Sequence, residues 1–173
     1  MSNYKRCYQP GGQYFFTLVT HLRRPLLTLP KNIEQLKIAF KKVKNKYPFS
    51  QKAFVILPDH LHCLWQLPEN DSDFSTRWRL IKQYFSKEIN MPINNRGEKE
   101  IWQRRFWEHV IRDEEDWIKH MDYIHYNPVK HGYVNSVKDW TFSSYSYWLE
   151  KGRYEHNWGS VEPDSIKDII EGE

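Results

Sequence analysis

The order in which strand-like and helix-like segments follow one another constrains the fold of this 173-residue chain more than any other feature. Aromatic and β-branched residues at positions 14–20 predict a strand that is buried on both faces. Apolar residues then recur at intervals of three and four, which predicts an amphipathic helix that Asn32 caps and that ends before Pro48. Positions 53–57 and 61–67 predict two more strands, joined tightly enough to favour an antiparallel hairpin.

A second helix and a fourth strand complete the pattern. Apolar spacing over 74–89 predicts an amphipathic helix with Ser72 or Asp73 as its cap, and positions 107–111 predict a strand. The resulting order, βαββαβ, is the ferredoxin-like plan of the α+β class, in which an antiparallel sheet carries two helices on one face. The other face of the sheet is then open to a ligand or to an additional helix.

An additional helix follows the fourth strand directly. Positions 113–116 are acidic, which suits the positive end of a helix dipole, and we expect the helix to run to about Asn127, before Pro128. The chain beyond it is irregular and aromatic, and an irregular or flexible tail is expected from about residue 152. At this length the whole chain, 1–173, is expected to form one domain.

Two histidines of the predicted third strand form a candidate metal site. Successive side chains of a strand point to opposite faces, so His60 and His62 share one face while Leu61 points into the core. Two imidazoles on one face can bind one ion. Imidazole ligands favour manganese, zinc or another transition metal over magnesium, which prefers oxygen.

The additional helix supplies a candidate nucleophile and a third ligand. At 100° per residue, Asp116, His120, Tyr123 and Asn127 fall within one narrow stripe. Residues four apart are neighbours, so Asn127 lies beside the Tyr123 phenol and completes a metal shell with the histidines. His120 and Asp116 are alternatives for the third ligand, and a solvated polar face is the alternative to a site.

A metal beside a tyrosine fits the cleavage of a phosphodiester. A phenol has a pKa near 10 and attacks poorly at neutral pH unless a metal, a base or a nearby positive charge helps it ionise. A divalent ion on His60, His62 and Asn127 would polarise the phosphate and orient it. Attack by Tyr123 would give a phosphotyrosine and a free hydroxyl on the other fragment.

Charge and aromatic content favour a nucleic-acid partner. The formal net charge is +4, and Phe, Tyr and Trp make up 16% of the chain, with several of these rings next to basic residues. Single-stranded nucleic acid binds to such a mixture of cations and stacking planes. A merely soluble surface and rings that fill the core are the alternatives.

Two cysteines, no signal peptide and no apolar run of membrane length predict a cytoplasmic protein without membrane association.

Five separated blocks of sequence carry a family resemblance. They are Leu-Pro-Asp-His-Leu-His-Cys-Leu-Trp at 57–65, Phe-Ser-Thr-Arg-Trp-Arg at 74–79, Ile-Trp-Gln at 101–103, Phe-Trp-Glu-His at 106–109 and Asp-Tyr-Ile-His-Tyr-Asn-Pro-Val-Lys-His-Gly at 122–132. In this order they resemble the REP-associated tyrosine transposases. These proteins belong to the HUH single-strand nuclease superfamily and are related to insertion-sequence transposases with one catalytic tyrosine.

The resemblance implies a site, a cofactor and a substrate. It assigns the metal to His60, His62 and Asn127 and the nucleophile to Tyr123. It implies a magnesium or manganese ion, despite the preference of imidazole for softer metals, and a 5′-phosphotyrosine intermediate. The implied substrates are repetitive extragenic palindromes (REP elements), imperfect DNA hairpins that are bound and cut as single strands.

Two other functions and the oligomeric state stay open at this point. A hairpin-binding protein that has lost turnover and a metal phosphodiesterase that uses water are the alternatives to a nuclease. No clean exposed apolar stripe is visible, which favours a monomer, although related insertion-sequence enzymes act as dimers. Basic residues near the strand ends and the catalytic helix are the candidate DNA contacts: Lys5, Arg6, Arg23, Arg24, Lys82, Arg104, Arg105 and Lys130.

Overall fold

Four antiparallel strands form the sheet at the centre of the computed structural model, which describes residues 6–169. The strands are β1 (Gln13–Val19), β2 (Ser50–Ile56), β3 (His60–Gln66) and β4 (Trp107–Val110). They lie in the order β2-β3-β1-β4, and every neighbouring pair is antiparallel. This order confirms the ferredoxin-like α+β prediction.

Helices cover both faces of the sheet. The long helices are α1 (Pro30–Lys46), α2 (Phe74–Glu88) and α3 (Glu114–Lys130), and α4 (Tyr145–Glu150) is short. Helices α1 and α2 pack against each other over one face, as the split βαβ plan requires, and α3 lies against β2 and β3 on the other face. Three-residue 3-10 helices occur at His21–Arg23, Val137–Asp139 and Asp164–Ile166.

The alternation of side chains along the strands divides the interior into two cores. In β1, Tyr14 and Phe16 pack with α1 and α2, whereas Phe15 packs with α3. In β3, Leu61 belongs to the first core and Leu64 to the second. The strand parity predicted from the sequence is therefore confirmed, and it directs the even-numbered side chains of β3 toward α3.

Two helix boundaries differ from the sequence-based expectation. Helix α1 begins at Pro30, which suits a first helical position, and the Asn32 side chain donates to the carbonyl of Leu26 (2.8 Å) instead of capping the helix. Pro128 lies inside α3, which continues to Lys130. A proline within the last turn removes only one hydrogen bond and is tolerated there when the flanking turns remain packed.

The segment after Gly152 is irregular, as expected, and parts of it pack tightly against α3. Tyr154 and Ile166 are buried in the second core. The Asp122 carboxylate on α3 accepts hydrogen bonds from Tyr154 (3.2 Å) and Ser165 (2.7 Å). Across residues 6–169 the structure contains no helix that is long and apolar enough to cross a membrane.

Candidate active site

The two predicted metal histidines lie next to each other on the face of the sheet that α3 covers. His60 and His62 pair across the sheet with Val19 and Thr17 of β1. Their ring centres are 5.1 Å apart. Only 1% and 0% of their surfaces are exposed, so the protein holds both rings in place.

Hydrogen bonds at Nδ1 orient both imidazoles. Nδ1 of His60 lies 2.7 Å from Asp59 Oδ1. Because an ionised carboxylate only accepts hydrogen bonds, His60 donates there and carries its lone pair on Nε2. Nδ1 of His62 lies 2.9 Å from the Thr17 hydroxyl, and a His62 that donates to it also presents the lone pair of Nε2. Metal-binding histidines usually have such a partner at the second ring nitrogen.

Asp59 connects His60 to Arg23. Burial acts to raise the pKa of Asp59, but the hydrogen bond from His60 and the interaction with Arg23 outweigh it, so that the pKa is lowered overall. Arg23 Nη1 lies 3.1 Å from Asp59 Oδ2. Arg23 and the exposed Leu22 both adopt positive φ angles, 50° and 53°, which L-residues seldom do. This turn next to the candidate metal ligands is strained, a feature that clusters at functional sites.

Helix α3 brings the predicted nucleophile to the histidines. The ring centre of Tyr123 lies 5.1 Å from that of His62, with the rings inclined at 70°. Lys130 Nζ lies 4.8 Å from the centre of the Tyr123 ring, and the His131 ring lies 4.9 Å from His60. The last two turns of α3 and the residue that follows them therefore bring a phenol, a cation and a further imidazole close to His60 and His62.

Asn127 has the properties expected of a metal ligand. It lies one turn beyond Tyr123, is fully buried, and neither its amide nitrogen nor its amide oxygen has a hydrogen-bond partner among residues 6–169. A buried amide without partners costs about 1–3 kcal/mol, so this position needs an explanation. Two imidazole nitrogens and an amide oxygen are suitable ligands for a divalent transition ion. The residues present therefore fit the predicted metal.

The phenol is closed off in this conformation. Tyr123 is only 1% exposed, comparable to the two histidines. Nucleic acid can therefore reach the phenol only after a neighbouring group has moved. Tyr123, His60 and His62 lie close together, and solvent reaches almost none of their surface in this conformation.

Several of the predicted DNA contacts lie at the same end of the sheet as His60. Because the strands are antiparallel, the end of β1, the start of β3 and the start of β4 lie together. Arg23 and Arg24 follow β1, and Arg104 and Arg105 precede β4. Arg104 and Arg105 are exposed, and Lys130 is half-buried beside Tyr123.

Several of these basic residues also have partners within the protein. Arg6 forms a 2.8 Å ion pair with Glu108, and its guanidinium carbon lies 4.0 Å from the centre of the Phe106 ring. Its guanidinium therefore already makes contacts within the protein. Lys82 donates to the Gln103 carbonyl (2.8 Å), and burial, helped by the nearby charge of Arg6, lowers its pKa to about 8. Lys5 lies outside the described residues.

Two residues considered as alternative ligands lie elsewhere. Asp116 and His120, in the first half of α3, interact with His109 of β4. The Phe15 ring packs against both His62 and His120, so an apolar group occupies the space that connects the two clusters. Asp116 and His120 therefore belong to a separate polar cluster.

The charges of this second cluster follow from its burial. Burial acts to raise the pKa of Asp116, but hydrogen bonds from His109 and from the Arg112 backbone amide outweigh it and hold the pKa at about 2. Burial lowers the pKa of His120 to about 4, so its imidazole is neutral at pH 7. An ionised carboxylate thus lies between two imidazoles.

Three residues beside the candidate site, Thr17, Asp59 and His131, were missed by reasoning from the sequence, and so was His109 of the separate cluster. Asp59 directly precedes His60, and this adjacency was a usable signal. Thr17 is 45 residues from its partner His62, and only the β1–β3 register joins them. Such contacts depend on strand pairing and leave no local pattern.

Comparison with known proteins agrees with this geometry. Residues 9–127 match the family described as "Transposase IS200 like". A REP-associated tyrosine transposase of Escherichia coli strain K12 is 44% identical over 173 residues, which covers 100% of this chain and 98% of that protein. A protein of Haemophilus influenzae is 44% identical over 177 residues, 98% of this chain and 100% of that protein.

A solved structure gives the same result in three dimensions. The structure of a REP-associated tyrosine transposase bound to a REP hairpin superposes with a TM-score of 0.82 at 44% identity, covering 99% of this chain and 100% of that one. Sequence and fold agree over nearly the whole length of both proteins. The chain belongs to the IS200-like transposases and, among them, to the REP-associated tyrosine transposases.

Proposed function

We propose that this transposase is a metal-dependent endonuclease and strand transferase that acts on single-stranded REP hairpins through a 5′-phosphotyrosine on Tyr123. The observation that carries the proposal is the convergence of Tyr123 and His62, whose rings are in contact, beside the buried and unpartnered amide of Asn127. The structural relative bound to a REP hairpin supports the choice of substrate. The whole chain, 1–173, would act as one domain.

The chemistry assigns a role to each side chain. The Tyr123 oxygen attacks the scissile phosphorus, the bond from phosphorus to the 3′ oxygen breaks, and the DNA fragment leaves with a 3′-hydroxyl. The reverse attack by a 3′-hydroxyl on the phosphotyrosine rejoins a strand. Lys130, 4.8 Å from the Tyr123 ring centre, favours the ionised phenol that this attack requires.

His60, His62 and Asn127 would hold the divalent ion, Mg²⁺ or Mn²⁺. When bound, such an ion neutralises charge on the phosphate and fixes its orientation. Asp59 and Thr17 keep the two imidazoles turned so that Nε2 is presented. Arg23, Arg24, Arg104 and Arg105 would bind the DNA backbone at the same end of the sheet.

A non-cleaving hairpin-binding protein is the second candidate, and one observation favours it. Tyr123 and both histidines are almost fully covered in this conformation, so the catalytic groups do not face solvent. A protein that only binds hairpins has no need to expose them. Cleavage requires that hairpin binding, or thermal motion, uncovers the phenol.

Tyr123→Phe, compared with the wild type on single-stranded REP hairpin DNA in Mn²⁺ or Mg²⁺, tests the proposal. The wild type should cleave the DNA and form a covalent adduct that survives denaturing electrophoresis. Tyr123→Phe should bind the hairpin with unchanged affinity and form no adduct. Tyr126→Phe is a matched control, because Tyr126 lies on the same helix within the second core and should retain the adduct.

The other outcomes separate the alternatives. Cleavage that survives in Tyr123→Phe would identify a phosphodiesterase that uses water. Hairpin binding without cleavage by the wild type in either metal would identify a binding protein.

A further inference from the structure

We propose that His109, Asp116 and His120 form a second metal site, which takes a zinc-like transition ion and is separate from the His60–His62–Asn127 site. His109 lies on β4, and Asp116 and His120 lie four residues apart on one face of α3. One ligand atom from each of the three residues lies within 4.8 Å of the others. A pair of ligands one helical turn apart, joined by a ligand from a strand, can surround one small ion.

The three side chains already contact one another. His109 Nε2 lies 2.7 Å from Asp116 Oδ2, and His120 Nδ1 lies 3.2 Å from Asp116 Oδ1. The rings of His109 and His120 stack with centres 4.6 Å apart and an inclination of 16°. Because the lone pair of an imidazole nitrogen lies in the ring plane, one of the two rings must rotate before both bind the same ion. Two imidazole nitrogens and one carboxylate oxygen are common ligands of Zn²⁺, which binds at about 2.0–2.2 Å from such atoms.

Protons can rearrange to admit the ion. Because carboxylate and carbonyl oxygens only accept hydrogen bonds, His109 directs its Nε2–H to the Asp116 carboxylate, whereas Nδ1–H of His120 donates to the Asp116 backbone carbonyl (2.8 Å). On binding, the His109 proton moves from Nε2 to Nδ1 through solvent exchange. Coordination through Nδ1 of His120 would likewise move its proton to Nε2 and give up the hydrogen bond to the Asp116 carbonyl, and both imidazoles would stay neutral. Arg112 Nε, 3.2 Å from Asp116 Oδ2, must turn away, and its side chain is 73% exposed and has room to do so.

A cavity of about 140 Å³ opens onto the cluster and has room for a water ligand. The exposed Asp168 lines the same cavity and adds a second carboxylate at its rim. Arg112 and Lys119 also line it, and their positive charge disfavours ions that are held mainly by electrostatics. The site therefore suits an ion with strong bonds to nitrogen, such as Zn²⁺ or Co²⁺, better than Mg²⁺ or Ca²⁺.

An ion here would join β4 to the first half of α3. His120 lies three residues before Tyr123, so the link would hold the helix that carries the nucleophile against the sheet. The Phe15 ring lies between this cluster and His62, so the role of the ion would be to position α3. This inference does not depend on the nuclease mechanism, because it concerns the protein without DNA.

Zinc binding by the full-length protein, measured by isothermal titration calorimetry, tests the proposal. His60→Gln/His62→Gln removes the first site and should still bind one Zn²⁺ per chain. Zn²⁺ should also raise the melting temperature of this variant above that of its metal-free form. Adding His109→Gln to this background should weaken Zn²⁺ binding at least about tenfold and abolish the rise. Adding His156→Gln is the matched control, since His156 is exposed and distant in sequence from the cluster, and should change neither value.

A cysteine variant gives a readout that a folding defect cannot imitate. His109→Cys in the same background, loaded with Co²⁺, should show a sulfur-to-cobalt charge-transfer band that the His109 parent lacks. The proposal is overturned if His60→Gln/His62→Gln binds no Zn²⁺, if His109→Gln leaves Zn²⁺ affinity unchanged, or if the cysteine variant shows no such band.

Discussion

A histidine cluster lies beside each end of α3. The two clusters are similar in composition, but only one of them contains a carboxylate. At the C-terminal end, the candidate ligands His60, His62 and Asn127 include no carboxylate. At the N-terminal end, His109 and His120 flank an ionised carboxylate, so that ligand set carries a negative charge. The difference concerns what each cluster needs in order to hold a cation.

A ligand set without a carboxylate gains affinity for a divalent ion when an anion joins it. In the candidate active site that anion would be the DNA phosphate, so ion and substrate should bind together. The cluster around Asp116 already contains its own anion and should bind an ion without DNA. Histidine count alone does not distinguish the two, whereas ligand charge and hydrogen-bond satisfaction do.

Matched substitutions in the two clusters should give the largest contrast. His62→Gln is expected to lower hairpin cleavage by about 10²–10³-fold, because it removes a ligand of the ion that stabilises the developing charge. His109→Gln should cleave within about threefold of the wild type in Mn²⁺. Equal losses in both variants, measured as single-turnover rates, would contradict the separation of the clusters.

Acidification should reveal the neutral, buried histidine of the N-terminal cluster. The pKa of His120 is about 4 in the fold and about 6.5 when unfolded, so the unfolded chain takes up the proton first as the pH falls. Stability is therefore complete above pH 6.5 and is lost as the pH falls toward 4, by about 2 kcal/mol between pH 7 and pH 5 from this residue.

Urea unfolding of the metal-free protein at several pH values measures this loss. His120→Gln should remove about half of the pH dependence. Most of the remainder should come from His125, which is buried against Ser144 and Tyr154 and whose pKa burial lowers to about 3. An unchanged slope in His120→Gln would show that its imidazole is already charged in the fold.

Replacement of Asn127 should separate function from stability at the C-terminal cluster. Asn127→Leu removes a buried amide that lacks hydrogen-bond partners, so the metal-free protein should become more stable, by about 1–2 kcal/mol. Cleavage should fall at the same time, because the third ligand is lost. A destabilised Asn127→Leu protein in urea unfolding would mean that the amide is satisfied and is not held ready for an ion.

Coupling between ion and DNA gives the smallest and most specific difference. A REP hairpin should raise Mn²⁺ affinity at the His60–His62–Asn127 site about tenfold, and Mn²⁺ should raise hairpin affinity by the same factor. Zn²⁺ affinity of His60→Gln/His62→Gln should not respond to the hairpin. Calorimetric titrations with and without DNA check both statements. An effect of the hairpin on Zn²⁺ affinity at the second site would contradict the independence of that site from DNA.

Most of the architecture was predictable because it depends on local periodicity. The spacing of apolar residues gave the order of strands and helices, and strand parity put His60 and His62 on one face. The four-residue interval between Tyr123 and Asn127 put both on one helix face. Pro128 was misread as a stop signal, because the cost of a proline depends on its position within the last turn.

Contacts between distant segments were beyond such reasoning. Arg6 stays a predicted DNA contact, and its ion pair with Glu108, 102 residues away, could not be predicted from the sequence. His109 was not considered as a ligand, because its proximity to Asp116 exists only once β4 and α3 pack together. The burial of Tyr154 and Ile166 against α3 likewise arises from packing of the C-terminal segment.

The sequence by itself determined which side chains share a strand face or a helix stripe, since backbone geometry repeats every two or 3.6 residues. It thereby determined the composition of the candidate active site. Only the tertiary structure decided which partners each polar atom has, how deeply each ring is buried and which anion lies beside which imidazole. Those properties arise from strand register and helix packing, which bring together residues far apart in the chain and set the charge of each histidine cluster.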